Sequence, residues 1–183
     1  MKPAWLERLK KSIAKNRRDA HNRYIQLATL ADDGSPRVRM VVFRGFSEDA
    51  RSFFIITDTR SQKVSELALS SRVEIGWYFT HTREQYRLRC ETQLCTASDD
   101  GLDVRERIWT SLSDAARAQF FWKSPGMSEG SGETPALTET PPDTFAVIRF
   151  EPFSVDHLIL AKTQTRTLSI HDGDGWSEKA LNP

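Results

Sequence analysis

At 183 residues, 38% hydrophobic and 28% charged, the chain is long enough for one domain with a real core. Its 26 basic and 25 acidic side chains nearly cancel, so there is no general pull toward nucleic acid or membrane and any basic site must be local. No apolar run approaches the roughly 20 residues that a bilayer span needs, and the N-terminus lacks a signal-peptide core, so the expected location is cytoplasmic.

Residues 4–20 have the stripe of an amphipathic helix, with Trp5, Leu6, Leu9 and Ile13 on one side. Strand patterns follow. "RYIQLATLA" runs into Asp32-Asp33-Gly34-Ser35-Pro36, a hairpin signal, and then into "RVRMVVFRGF" and "SFFIITD". A helical piece from Ser61 to about Ser70 interrupts. "VEIGWYF" and "EQYRLRCETQLCT" resume the strands, the second with clean alternation. Residues 99–122 change period and predict two short helices broken near Ser111–Ser113. Residues 124–143, "SPGMSEGSGETPALTETPPD", predict a flexible surface loop. "TFAVIRFEP", "SVDHLILA" and "RTLSIHD" predict three closing strands before the Asp172–Gly175 turn and Trp176. Seven or eight strands joined mostly by short turns predict a mainly β chain of the α+β class, an antiparallel barrel with a few peripheral helices and one domain over 1–183.

The two cysteines, Cys90 and Cys95, lie five apart in one strand and should face opposite sides as reduced thiols. The four histidines are scattered, and no spacing suggests a metal site.

The stretch "IITDTRSQKVSEL" gathers hydroxyls, amides and cations where a strand hands over to a helix. If Ser61 opens the helix, its hydroxyl and the free N–H groups of the first turn point outward together, a place that suits an anion. Lys63 adds a charge and Thr57 a second hydroxyl. The plainer reading is an ordinary N-cap beside a solvated lysine. The preceding strand carries Arg39 and Arg44 around an apolar centre. They have opposite parity, so both reach one ligand only if the strand bulges or ends, and Gly45 allows that. Gln85 opens a later strand with an amide that can donate and accept.

"RMVVFRGF", "FFIITDTRSQKVSELALSSRVEIGWYF" and "REQYRLRC" together resemble the pyridoxamine 5'-phosphate oxidase family of FMN-binding split β-barrels. The similarity runs through residues 24–96 and resumes at "RTLSIHDGDGWSEKALNP". The resemblance implies an FMN site at a homodimer interface. Arg39, Met40, Val41, Val42 and Arg44 would lie along the flavin and its phosphate. Thr57, Ser61, Gln62 and Lys63 would grip the phosphate, and Gln85 and Arg166 would contact the flavin. Three family positions are changed here: Arg44 stands in place of a Lys, Ile56 in place of a hydroxyl and Gln62 in place of a guanidinium. A family Trp is missing near Leu158. The substrate side departs further: the helical segment has no Tyr in the expected place, and the family's late Arg-x-His pair, which holds the substrate phosphate, is not recognisable around Lys162–Thr165. Arg105 or Arg107 could hold a substrate phosphate, or could be solvated or paired with Asp103 and Glu106. Trp109, Phe120, Phe121 and Trp122 read as core or dimer contact rather than a substrate platform.

The expected function is therefore an FMN-dependent oxidoreductase acting on a small molecule, with two-electron transfer at flavin N5 and a diverged substrate site. The rivals are a flavin- or haem-binding protein without turnover and a small barrel binding single-stranded nucleic acid through its aromatic and arginine side chains. The near-zero net charge weighs against the last.

Overall fold

In the computed structural model, which describes residues 3–98, 102–128 and 138–183, nine strands form one antiparallel sheet. They are β1 (Tyr24–Leu30), β2 (Pro36–Val42), β3 (Gly45–Phe46), β4 (Phe53–Asp58), β5 (Arg72–Phe79), β6 (Glu84–Cys95), β7 (Phe145–Ile159), β8 (Thr165–His171) and β9 (Trp176–Leu181). The order is β2-β1-β5-β6-β7-β4-β3, with β8 added beside β7 and β9 beside β8.

The two ends of that order are consecutive in the chain, and this closes the barrel. Phe43 N donates to Arg23 O on the β1 side, and the next amide, Arg44 N, donates to Phe54 O on β4, both at 2.8 Å. The strand changes partner within two residues. Gly45 follows with φ 128°, a conformation that a residue with a Cβ rarely adopts. The irregularity expected at Gly45 is thus the point of closure.

Inward-facing residues of β1, β4, β5, β6 and β7 build the main core around Leu27, Ile55, Trp77, Tyr86, Leu88 and Phe150. Helix α1 (Ala4–Lys15) closes one side with Trp5, Leu6 and Leu9, each burial contributing about 1.5–3 kcal/mol. A second core gathers Phe54, Trp109, Phe120, Phe145 and Val147 beneath α3 (Leu102–Thr110) and α4 (Asp114–Ala118), the two short helices expected there. Helix α2 (Gln62–Leu69) connects β4 to β5. Cys90 lies in the main core and Cys95 in the second, on the opposite sides that their parity requires.

Three expectations are corrected. The first helix ends at Lys15 rather than 20, because Asn16 is buried with its amide engaged. Its Nδ2 donates to Ser12 O and Thr82 Oγ1, and its Oδ1 accepts from His81 N. The segments around 144–152 and 154–161 are one strand, β7. Pro152 falls at a register shift opposite Arg89 and Cys90, where a missing N–H does little harm. Residues 176–181 form β9, which the polar sequence "WSEKAL" conceals. Of the loop expected at 124–143, residues 129–137 lie outside the described residues, and the described flanks carry no helix or strand.

Candidate functional site: an anion grip at the head of the second helix

Ser61 stands at the N-cap of α2 with extended backbone, yet its side chain does not cap. Its hydroxyl donates to Asp58 O at 2.7 Å, so no side chain caps the first turn, where Val64 N donates to Ser61 O at 2.9 Å. Thr57 Oγ1 lies 3.1 Å from Ser61 Oγ, and Lys63 Nζ donates to both, at 3.1 and 2.9 Å. Thr57 and Ser61 are buried. Among the described residues Lys63 makes no ion pair, only these two neutral contacts. Burial and the nearby Arg39 hold its pKa below the usual lysine range. A part-buried ammonium, two hydroxyls and a helix N-terminus with no side-chain cap at one place suit a phosphate dianion. Gln62 is exposed beside them.

Arg60, two residues before the helix body, belongs to the loop rather than to the grip. It forms a two-bond fork with Asp58 at 2.9 and 2.6 Å, which raises its pKa, and it also donates to Trp122 O.

Arg39 and Arg44 lie in different surroundings. Arg39 donates to Glu66 at 2.6 Å and to Thr29 Oγ1, and Thr29 in turn donates to Glu66 at 2.5 Å. This triad packs α2 against β1 and β2 and keeps one positive charge next to Lys63. Arg44 is half-buried, with its Nε buried and unpartnered and no ion pair among the described residues. Its pKa is lowered by burial and by the neighbouring guanidinium of Arg23. A guanidinium in that state suits an added anion or carbonyl. Val41 faces the main core, while Met40 and Val42 face outward opposite Gln26 and Tyr24.

Gln85 and Arg166 come together through register. Gln85 pairs with Leu158 and Leu158 with Arg166, so the three form one row on the outer face of β6, β7 and β8. Asp156 holds Arg166 by a fork at 3.0 and 2.7 Å. This row and the grip lie on different stretches of β7: Thr57 pairs with Ala146, twelve residues earlier than Leu158.

Arg105 is 3% exposed and donates to Phe145 O and Pro142 O, so it ties the second core to the chain that enters β7. Arg107 is exposed and reaches Glu48 at 3.5 Å. Trp109 and Phe120 are core and Phe121 packs on them, but Trp122 is 56% exposed. Sequence reasoning missed Glu66, Asp58, Asp156 and Arg23. Only Glu66, one turn after Lys63, had a local signal.

Comparisons with known proteins bear on the family and the fold. The family model described as pyridoxamine 5'-phosphate oxidase, FMN-binding domain, matches residues 2–96. Pyridoxine/pyridoxamine 5'-phosphate oxidase 2 of Arabidopsis thaliana is 34% identical, over 98% of this chain and 96% of its own length. A solved pyridoxamine 5'-phosphate oxidase-related, FMN-binding protein of Nostoc punctiforme PCC 73102 superimposes with a TM-score of 0.94 at 36% identity, covering 100% of both chains. PhzG of Burkholderia lata 383, solved with tetrahydrophenazine-1-carboxylic acid, shares the fold at a TM-score of 0.78 and 18% identity, covering 98% of this chain and 91% of its own. By its matched domain, its sequence relatives and its split-barrel fold, this chain belongs to the pyridoxamine 5'-phosphate oxidase FMN-binding family.

Proposed function

We propose that the protein is a homodimeric FMN-dependent oxidoreductase acting on a small molecule, with each flavin held between two copies. The observation that carries the reading is the convergence of Lys63, Thr57 and Ser61 at the uncapped head of α2. The residues present fit FMN. The ammonium and hydroxyls of the grip suit its terminal phosphate, and the unpartnered Nε of Arg44 suits a carbonyl or anion elsewhere on the ligand. FMN would supply two-electron chemistry at its N5. The chain's own residues do the rest: Lys63, Thr57 and Ser61 bind, Glu66 holds Arg39 beside them, and Gln85 and Arg166 orient the ring from a second copy.

A second copy is inferred from facing: the Gln85–Leu158–Arg166 row stands on the outer face of the sheet, whereas Thr57 shares the inward side of β4 with Phe53 and Ile55. That outer face also carries Val38, 71% exposed, and Met40, 58% exposed, with Tyr24, Leu30 and Tyr78. An apolar patch of this kind calls for cover. A visible spectrum of freshly purified protein, with mass identification of whatever denaturation releases, tests the cofactor. Release of FAD or haem in place of FMN, or refusal of FMN by the apoprotein, refutes the reading.

The substrate site is read as diverged. Arg105 and Arg107, the cations considered for the substrate phosphate, are engaged by backbone carbonyls and by Glu48. Oxidation of pyridoxamine or pyridoxine 5'-phosphate is therefore expected to be weak.

A further inference from the structure

The loop that carries the anion grip also fastens an exposed tryptophan. Arg60 Nη2, already bound to Asp58, donates to Trp122 O at 3.0 Å. The chain just before Trp122 is tied to the same region. Thr144 Oγ1 donates to Phe120 O at 2.9 Å, while Thr59 N donates to Thr144 O at 2.8 Å. Phe120 and Phe121 anchor the turn in the second core against Trp109, at ring separations of 5.9 and 6.3 Å.

The backbone of Trp122 is thus held firmly within a few residues of Thr57, Ser61 and Lys63, while its ring is 56% exposed. The other tryptophans differ. Trp5, Trp77 and Trp109 are buried, and Trp176 is part-buried and packs on Trp5. A large flat ring left in solvent on a fixed backbone, beside a phosphate grip, suits a flat apolar ligand that carries a phosphate.

We propose that Trp122 forms a wall of the flavin site, packing its indole against bound FMN. The inference rests on the FMN reading above and adds a contact that the sequence assigned to core or dimer packing. Arg60 is then a positioning residue: its fork with Asp58 and its bond to Trp122 O set the wall relative to the grip.

Contact with an indole quenches flavin fluorescence by electron transfer, whereas leucine and phenylalanine do not quench in this way. The experiment compares wild type, Trp122→Leu and Trp122→Phe, each titrated with FMN and followed by flavin fluorescence, with thermal melts of the apoproteins. Bound FMN should be dark in wild type and several-fold brighter in both variants. Trp122→Leu should weaken binding by about five- to tenfold, and the apo melting temperatures should stay close together. Bound FMN equally dark and equally tight in both variants overturns the proposal. So does a change confined to subunit dissociation, which would make Trp122 a dimer contact. If wild type takes up no FMN, the FMN reading itself falls and takes the wall with it.

Discussion

His157 Nε2 lies 2.8 Å from Glu84 Oε2, directly behind the Gln85–Leu158 pair and on the opposite face of the sheet. Glu84 also accepts from Ser12 Oγ at 2.9 Å, and the His157 ring stacks on Tyr86 at 4.1 Å. The inner face thereby ties α1 to the strands that carry the Gln85–Leu158–Arg166 row outside. Burial lowers the pKa of His157 below the usual histidine value of 6.5, against the opposing pull of Glu84. Burial pushes Glu84 up, but hydrogen bonds from Thr82, Ser12 and His157 outweigh it and leave its pKa below 4.5.

Both folded values are depressed, so both groups contribute stability at high pH that is lost on acidification. The first loss starts as pH falls below 6.5, where the unfolded chain takes up a proton that buried His157 refuses. The second starts below 4.5. Thermal melts from pH 8 to pH 4 should show the first decline in wild type and its absence in His157→Gln. A parallel decline in both proteins assigns it elsewhere. Glu84→Ala, which strips an acceptor from the buried donors Ser12, Tyr86 and His157, should cost about 2–4 kcal/mol at neutral pH.

Lys63→Ala should weaken FMN binding by about 10–150-fold, the equivalent of one charge-assisted hydrogen bond. Arg60→Ala should weaken it much less, because the Arg60 guanidinium is taken up by Asp58 and Trp122 O and makes no bond to the grip hydroxyls. Fluorescence titration separates the two. Coincident curves would mean that the phosphate is held in another register.

Light scattering should give twice the chain's 20.9 kDa with or without FMN. Met40→Asp, placing a charge on the exposed strip of β2, should shift the protein toward single chains and lower FMN affinity in step. A monomeric wild type that binds FMN tightly would refute the shared site.

Pyridoxal 5'-phosphate production from pyridoxamine or pyridoxine 5'-phosphate, by FMN-loaded protein in air, should fall at least about a hundredfold below an authentic oxidase. Each missing charge-assisted bond to the substrate phosphate costs about 1.5–3 kcal/mol, and about 1.4 kcal/mol is tenfold in kcat/KM. Turnover within tenfold of that control would point to a grip built from other cations, with Arg23 and Arg44 the first to examine.

The hairpin of β1 and β2, the position of α2 and the gathering of Thr57, Ser61 and Lys63 were legible because each depends on neighbours within a few residues. The partners of the arginines were not. Arg166 finds Asp156 only through the β7–β8 register, and Arg39 finds Glu66 only once α2 has packed on β1. Arg105 reads as a surface residue on a charged helix, yet it is buried against carbonyls contributed some 40 residues later. The split strands expected around Pro152 failed for a related reason, since a bulge keeps a proline inside a ladder that its own sequence would end.

The placement of Cys90 and Cys95 in separate cores gives the protein two internal reporters. Burial raises the Cys90 thiol well above its ordinary pKa, so alkylation there must await an opening of the barrel itself. Cys95, beneath α3 and α4, is released when that smaller assembly loosens. Labelling rates of the two thiols, resolved by peptide mass under native conditions, would therefore time two separate breathing motions in one chain.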